Sequence, residues 1–340
     1  MEKDDIIIRN AVLHILDSYA GVPVLSDALL ETSPGLNDFL REHIFRIASG
    51  DDLKRCSFYE EESRVFAMLE GFCEENLLAV SREIAQHLYT IMNQNIAIPA
   101  ADLLVVTYQA AGELYLALLK MNYKEFYVHC TVPVPDPQSQ GSCNDIMMQT
   151  AALPSSSSRL SEAALIRLSD RSVSLVEKKY EVDGFKTDYF SQIFLECTDA
   201  LSSKAKLNLV TKAVEEIHQK YYDQDLDKKL EAKSIIYHDL EEQGSLEVET
   251  IGEQLFGDVP EIKEEFTQKL QKYDLETAEV KPQNKQTTKK FEKQFLVTDT
   301  GIEITIPMEQ YSSRQNLEFI TNQDGTMSVL IKNINRLTAR

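Results

Sequence analysis

Asp170, Glu177 and Lys179 follow the order of acidic and basic residues that metal-dependent nucleases use. In such a site two carboxylates hold Mg²⁺ and a lysine assists at the scissile phosphate. The same order arises often by chance, because 26% of the residues in this chain are charged. An exposed strand with Glu177 and Lys179 on its solvent face explains the triplet without any chemistry. A metal-dependent nuclease therefore stays the least favoured alternative.

The stretch GEQLFGDV, Gly252–Val259, has the glycine spacing of a phosphate-binding Walker A loop. Such a loop needs Lys and then Ser or Thr after its second glycine, where they contact the phosphates and Mg²⁺. Asp258 and Val259 occupy those two positions, and a carboxylate there would repel phosphate. The sequence therefore predicts no nucleotide hydrolysis. It predicts instead a helix that ends at Gly257 and another that begins at Pro260.

The segment DQDLDKKLEAKS, Asp223–Ser234, places Asp at positions 1, 3 and 5 of a calcium-binding EF-hand loop. Position 6 is Lys228 where glycine is required, and position 12 is Ser234 where a bidentate Glu is required. A solvated helix junction is the better interpretation. The six histidines and five cysteines form no metal-binding or nucleophile motif. We therefore expect no catalytic residue, no metal and no cofactor.

Charge is distributed unevenly towards the end of the chain. Residues 236–280 hold 13 Asp or Glu and three Lys, whereas residues 281–295 hold five Lys and one Glu. The five are Lys281, Lys285, Lys289, Lys290 and Lys293. A basic run beside a folded domain can contact nucleic-acid phosphates, although it would read no base edges. A solvated linker explains the same composition, so both interpretations stand.

The stretch 184–217 combines aromatic residues with lysines. Its first group of apolar residues fits one face of a helix: Tyr189, Phe190, Ile193, Phe194 and Cys197. Its second group fits one face of another helix: Leu207, Val210, Val214, Ile217 and Tyr221. Two amphipathic helices packed as a hairpin explain every apolar residue here, so a packing role is favoured over a ligand role. Lys204, Lys206 and Lys212 would lie off the core face, where they are the next candidates for a nucleic-acid contact.

Hydrophobic periodicity predicts an α+β protein in three parts. Residues 1–183 read as a mixed domain with an antiparallel sheet, and a Pro- and Ser-rich loop interrupts it over residues 132–162. Residues 184–280 read as a helical segment. Residues 281–340 read as a basic linker followed by a small region of β-hairpins.

Hairpin signals occur at three points of this plan. In ADLLVVTYQAAGELYLALLKM the second arm is almost continuously apolar, so we expect that strand to be covered on both faces. In the tail, one hairpin would turn at Asp299-Thr300-Gly301 and the other at Asp324-Gly325. These signals favour antiparallel pairing in both the first and the last part.

The formal net charge is −20 over 340 residues. Such a surface repels DNA phosphate and anionic membranes, so any contact with a polyanion must be local. No apolar run approaches the length of about 18 residues that indicates a membrane span, and MEKDDIII lacks the basic region of a signal peptide. Scattered cysteines without CxxC spacing indicate reduced thiols. We therefore expect a cytoplasmic protein without a membrane partner.

Several stretches resemble, in the same order, the bacterial nucleoid-associated protein family, the NdpA or YejK group. The first is DYFSQIFLECTDALSSKAKLNLVTKAV, with its double aromatic, its Phe-Leu pair and its Lys-rich turn. LHIL…VLSDALLE, LEVETIGEQLFGDVPEIKEEFTQKLQKYDLE and GIEITIPMEQYSSRQNLEF are similar as well, whereas residues 132–162 match least. The resemblance implies a DNA-binding protein of the nucleoid, with a topoisomerase connection for some members. It brings no catalytic motif.

Two functional hypotheses remain open at this point. In the first, a non-catalytic nucleoid-associated protein binds DNA with little sequence specificity through local groups of lysines. In the second, the acidic helical segment docks on a topoisomerase or another basic DNA enzyme. Both place the protein in the cytoplasm at the nucleoid, and both are compatible with a homo-oligomer.

Overall fold

The computed structural model describes residues 2–133, 142–222, 225–311, 316–336 and 338. Its fold is α+β, as the sequence predicts. The chain divides into two compact units, Met1–Leu201 and Ser202–Arg340. The sequence pattern instead predicts boundaries between parts after residues 183 and 280. No helix in the described part of the chain is long and apolar enough to cross a membrane.

The first unit is built around an antiparallel sheet. Its strands are β1 (Ile7–Leu16), β2 (Lys54–Cys56), β3 (Ala101–Ala110), β4 (Glu113–Asn122), β5 (Lys124–Pro133), β6 (Ser142–Ala152), β7 (Glu162–Arg167), β8 (Val173–Val176), β9 (Tyr180–Val182) and β10 (Phe185–Thr187). Its helices are α1 (Pro34–Ala48), α2 (Arg64–Met68) and α3 (Leu77–Gln94), with short 3₁₀ turns at Lys3–Asp5 and Glu74–Asn76 and a π-helical turn at Phe190–Leu195. Six strands form one sheet in the order β1-β3-β4-β7-β8-β2, and every neighbouring pair is antiparallel.

The central strand β4 is buried on both of its faces. Leu116 and Leu118 belong to the hydrophobic cluster that contains α3, and Ala117 and Leu119 belong to the cluster that contains α1. Successive side chains of a strand point to opposite faces, so a strand between two helical layers must be apolar at every position. The prediction that this arm of the hairpin is covered on both faces is confirmed.

Strand β6 lies inside residues 132–162, where composition predicts a long loop. It pairs with β5 from Lys124↔Ala152 to Pro133↔Ser142. The loop prediction is therefore wrong for residues 142–152, because the prolines and most serines that suggested a loop lie outside this run of Ile, Met and Thr. Residues 134–141 of the predicted loop lie outside the described residues.

The aromatic run of the first unit serves packing, as predicted. Tyr189, Phe190 and Phe194 are fully buried in the cluster that also contains α3. Phe190 and Phe194 lie on a π-helical turn rather than on an α-helix, and Tyr189 directly precedes it. The chain leaves the turn at Glu196 in the left-handed region, with φ 51°. The residues of the second predicted helix face belong to the other unit. The predicted helical hairpin is therefore wrong, since its two halves stabilise different cores.

The second unit is mainly helical, with small hairpins near its end. Its helices are α4 (Ser203–Tyr221), α5 (Leu226–Glu242), α6 (Val248–Phe256), α7 (Pro260–Gln271), α8 (Lys285–Glu292) and α9 (Met308–Tyr311). Its strands are β11 (Leu246–Glu247), β12 (Glu279–Val280), β13 (Lys293–Val297), β14 (Glu303–Pro307), β15 (Leu317–Thr321) and β16 (Met327–Ile331). Strands β13 and β14 pair, as do β15 and β16, which confirms both predicted hairpins. Gly301 and Gly325 have φ 86° and 81°, a region in which a side chain would be strained.

The basic run over residues 281–293 is not the linker that its composition predicts. Asn284 caps helix α8 by accepting a hydrogen bond from the backbone N–H of Gln286 at 2.9 Å. Phe291, in the last turn, is only 3% exposed. One apolar anchor and one cap are enough to fix this short polar helix on its neighbours. The lysines of this run therefore have defined positions.

A buried ion pair lies inside the first unit. The side chains of Lys120 on β4 and Glu162 on β7 are both fully buried, with 3.4 Å between Nζ and Oε1. Asn122 donates to the other carboxylate oxygen of Glu162 at 3.0 Å, and the hydroxyl of Tyr189 donates to Oε1 at 3.3 Å. Burial lowers the pKa of Lys120, and the charge of Glu162 opposes that shift. The pair is tolerated because Lys120, Asn122 and Tyr189 all donate to the carboxylate.

The Lys120→Met variant should lose about 3–5 kcal/mol in the free energy of unfolding, because it leaves an unpaired buried carboxylate. Urea denaturation monitored by circular dichroism measures this loss. The double variant Lys120→Met/Glu162→Gln should recover at least half of it, since no charge is then buried alone. A double variant as unstable as the single one would contradict this assignment.

Candidate nucleic-acid interface

Helix α4 carries three of the predicted lysines. Ser202 caps it by accepting a hydrogen bond from its first turn at 3.2 Å. Lys204 and Asn208 are four residues apart, so they share one face of the helix. Lys206 is only two residues from Lys204 and therefore lies on another side. Helical geometry thus separates lysines that are close in sequence.

Helix α8 places Lys290 beside α4. The Nζ atom of Lys290 donates to Oδ1 of Asn208 at 2.8 Å. Partial desolvation lowers the pKa of Lys290, Glu215 raises it, and the nearby charge of Lys204 lowers it further. The sequence offers the lysines of residues 281–293 and those of residues 204–212 as two separate candidate contacts. In the structure, Lys290 of the first group lies near Lys204 of the second.

Helix α5 contributes two lysines that sequence reasoning missed. The Nζ atom of Lys233 donates to the backbone carbonyl of Lys293 at 2.7 Å. Burial lowers the pKa of Lys233; Glu215 raises it, and the charges of Lys229 and Lys290 lower it. Lys229 and Lys233 are four residues apart, so the sequence places them on one face of a helix. Their proximity to Lys290 depends on the position of α8, which the sequence pattern does not give. We call Lys204, Lys229, Lys233 and Lys290 the lysine cluster.

The remaining predicted lysines differ in their surroundings. Three are exposed on or next to α8: Lys285, Lys289 and Lys293. Lys281 forms an ion pair with Glu279 at 2.7 Å, and Lys212 forms one with Glu216 at 3.8 Å. These two positive charges are thus locally compensated. Lys281, Lys206 and Lys212 show no contact that joins them to the lysine cluster within the described residues.

Other lysines of the second unit are matched by carboxylates. Lys220 lies 2.7 Å from Glu265, and Lys269 lies 2.7 Å from Glu216. In the part of the chain that the structure describes, no carboxylate lies within salt-bridge distance of three members of the cluster: Lys229, Lys233 and Lys290. An acidic chain therefore keeps one group of ammonium ions available for an external anion.

The three residues with nuclease-like spacing do not share a site. Asp170 pairs with Arg167 at 2.6 Å in an exposed turn, and hydrogen bonds from Ser172, followed by those of Arg167, lower its pKa to about 2. Glu177 is buried and pairs with Lys54 at 2.9 Å, so its predicted place on a solvent face is wrong. Lys179 contacts a different carboxylate. No group of three potential ligands in the described residues is arranged to hold a metal.

The glycine-bearing stretch between α6 and α7 is a helix junction. Helix α6 ends at Phe256, Gly257 follows it, and Pro260 is the first residue of α7. A Cβ atom at Gly257 would lie 2.5 Å from the carbonyl oxygen of Glu253. Glycine is therefore required by close packing, and the predicted helix end and helix start are both confirmed.

Helix α5 begins at Leu226, inside the segment with EF-hand-like spacing. This agrees with the predicted helix junction. The side chain of Asp225 accepts a hydrogen bond from the backbone N–H of Lys228 at 3.0 Å and caps the helix. That carboxylate is therefore occupied as a helix cap. Residues 223 and 224 lie outside the described residues.

Fold and surface thus define an acidic α+β protein in which Lys229, Lys233 and Lys290 have no carboxylate at salt-bridge distance within the described residues. The chain belongs to the family of the nucleoid-associated protein YejK, whose sequence profile matches residues 12–338. The family membership expected from the quoted stretches is thereby confirmed. No curated protein matches the chain.

Phe291→Ala should cost the second unit about 3–5 kcal/mol, because it removes the buried side chain that holds α8. Hydrogen exchange of the amides in residues 285–292 should speed up in the same variant. Phe295→Ala is the matched control, since Phe295 is 69% exposed and its loss should cost about 0.5 kcal/mol or less. Equal stability of the two variants would show that Phe291 is not the anchor.

Proposed function

We propose that this chain is a non-catalytic DNA-binding protein of the nucleoid with little sequence specificity. The contact surface comprises the lysine cluster and the exposed lysines of α8 and its C-terminal end: Lys285, Lys289 and Lys293. Family membership supports the association with the nucleoid. The DNA contact and its location on the chain are our inference.

The observation that carries the proposal is the contrast between compensated and uncompensated lysines in one unit. Lys220 and Lys269 are paired with carboxylates, whereas Lys229, Lys233 and Lys290 are not, within the described residues. On a chain of net charge −20, phosphate can approach only where positive charge is gathered. Duplex DNA presents closely spaced phosphates that such a surface can neutralise.

Low sequence specificity follows from the chemistry of the side chains. A lysine ammonium is a compact point charge on a flexible stem, and it contacts phosphates without reading base edges. The helices that carry the surface, α4, α5 and α8, contain several lysines of this kind and no arginine. Affinity should therefore depend strongly on salt and weakly on base composition.

The test compares two triple variants that change the net charge equally. Lys285→Gln/Lys289→Gln/Lys290→Gln removes charge from the proposed surface. Lys220→Gln/Lys263→Gln/Lys269→Gln removes it from paired lysines, since Lys263 forms an ion pair with Glu253. Fluorescence anisotropy with a duplex oligonucleotide is measured across a potassium chloride series. Each lost phosphate contact should reduce the slope of log K against log salt by about 0.9, so the first variant should flatten it by about 2.7.

The paired-lysine variant should keep nearly the whole slope of the unmodified protein. A-T-rich and G-C-rich duplexes should be weakened alike by the first variant. Equal losses in both triple variants would show that net charge alone matters and would remove the proposed surface. An unchanged slope in the first variant would remove it as well.

The alternative partner is a protein. Residues 236–280 hold 13 acidic residues, and several of them, such as Glu249, Glu261 and Glu264, are exposed. A topoisomerase or another basic DNA enzyme could contact such a surface through its own lysines and arginines. This second hypothesis would be favoured if the unmodified chain binds such an enzyme but does not bind DNA.

A further inference from the structure

Helices α4, α5 and α8 enclose a cleft of about 830 Å³ in the second unit. Its walls carry side chains of two kinds. Lys229, Lys233 and Lys290 supply ammonium groups, and His218 and Tyr222 supply aromatic rings with polar atoms. Small-molecule sites in proteins typically measure about 300–1,000 Å³. The cleft therefore has the volume of a site for a ligand larger than a simple ion.

His218 is the first observation that points to a ligand. Its side chain is only 8% exposed, and neither ring nitrogen has a hydrogen-bond partner among the described residues. The ring is held between Tyr222, at 5.5 Å, and Phe256, at 5.7 Å. A buried polar group left without a partner costs about 1–3 kcal/mol, so such groups are usually paired. The ring borders the cleft, and a bound molecule would supply the missing partner once the imidazole turns a nitrogen towards it.

The lysines are a second and independent observation. Lys229, Lys233 and Lys290 all line the same cleft, and the charges of Lys229 and Lys290 both lower the pKa of Lys233. Glu215 and Asp225 also line the cleft, and Glu215 raises the pKa of Lys233 and Lys290. Three positive and two negative groups leave a net positive cleft on an acidic chain. An anion of phosphate type would relieve the repulsion.

The size of the cleft favours an anion that is larger than free phosphate. A free phosphate would fill only a small part of it, whereas a phosphate attached to a sugar and a planar base would reach both walls. The ring of Tyr222, half-buried at the cleft, and the imidazole of His218 are suited to contact the sugar or base. We propose that the cleft binds one nucleotide unit, with its phosphate on Lys229, Lys233 and Lys290 and its sugar or base beside His218.

The nucleotide can come from two sources that share this chemistry. It is either a free mononucleotide or one unpaired nucleotide of a single strand. The site does not depend on duplex binding by the outer lysines of α8, because Lys285 and Lys289 do not line the cleft. Lys229, Lys233 and Lys290 belong to both proposed surfaces, so AMP binding at the cleft is tested separately only from the contribution of the outer lysines to duplex binding.

Isothermal titration calorimetry of the full chain with AMP tests the proposal, with adenosine and inorganic phosphate as partial ligands. AMP should bind about tenfold or more tightly than either part, since only AMP reaches both walls. Lys229→Gln should weaken AMP binding about tenfold or more. Lys263→Gln makes the same charge change outside the cleft, at a lysine paired with Glu253, and should leave AMP binding unchanged.

His218→Phe separates a binding role from a structural one. Phenylalanine keeps the ring contacts with Tyr222 and Phe256 and removes two unpartnered nitrogens, so the thermal midpoint without ligand should stay the same or rise. AMP binding should nevertheless weaken about tenfold or more. A folded His218→Phe variant with unchanged AMP affinity, together with an unchanged Lys229→Gln variant, would overturn the proposal.

A single-stranded oligothymidylate distinguishes the two sources. Tighter binding of the oligonucleotide than of AMP, with the same loss in Lys229→Gln, assigns the cleft to an unpaired strand. AMP binding without oligonucleotide binding assigns it to a free nucleotide. No binding of either at millimolar concentration overturns the inference, even if duplex DNA still binds through the outer lysines.

Discussion

Electrostatic repulsion is the constraint on which this account of the protein depends. The chain carries 55 acidic and 35 basic residues, so it repels phosphate unless its lysines are gathered away from carboxylates. The fold achieves this by ion pairs between α4 and α7, Lys220 with Glu265 and Lys269 with Glu216. Lys290 and Lys233, by contrast, take neutral partners, an amide and a backbone carbonyl. Neither partner neutralises the ammonium charge, and each ammonium keeps spare donors.

The position of α8 brings its lysines together with those of α4 and α5 on one surface. Phe291 buries an apolar anchor, and the bond from Lys290 to Asn208 fixes the helix beside α4. A mobile lysine run could contact phosphates from any direction, whereas a docked helix presents them together with the lysines of α4 and α5. The cost of placing like charges together is reduced by Glu215 and would be reduced further by a bound anion.

Sequence reasoning recovered those features that depend on local pattern. The apolar run in β4 predicted a strand covered on both faces, and Gly301 and Gly325 predicted tight hairpin turns, because each of these signals is contained in a few neighbouring residues. It failed at α8, where seven polar residues surround the single anchor Phe291 and composition resembles a linker. A single buried side chain carries too little signal to be read without its partner helices.

The composition of the candidate surface was recovered only in part, for the same reason. Lys290 and Lys204 were selected from charge, but their proximity depends on a tertiary contact through Asn208. Lys229 and Lys233 belong to a segment whose acidic residues resemble an ion-binding loop, so composition alone does not select its lysines. The fold also decides which lysines form an ion pair with a carboxylate, as Lys281 does with Glu279.

Hydrogen–deuterium exchange of the full chain, with and without a saturating duplex oligonucleotide, tests the central claim most directly. Amide exchange reports where the chain is covered without altering any charge. The account predicts that DNA slows exchange in the first turns of α4 and throughout α8, and leaves α6 and α7 unchanged. Protection confined to α6 and α7 or to the first unit, with none in α4 and α8, would contradict it.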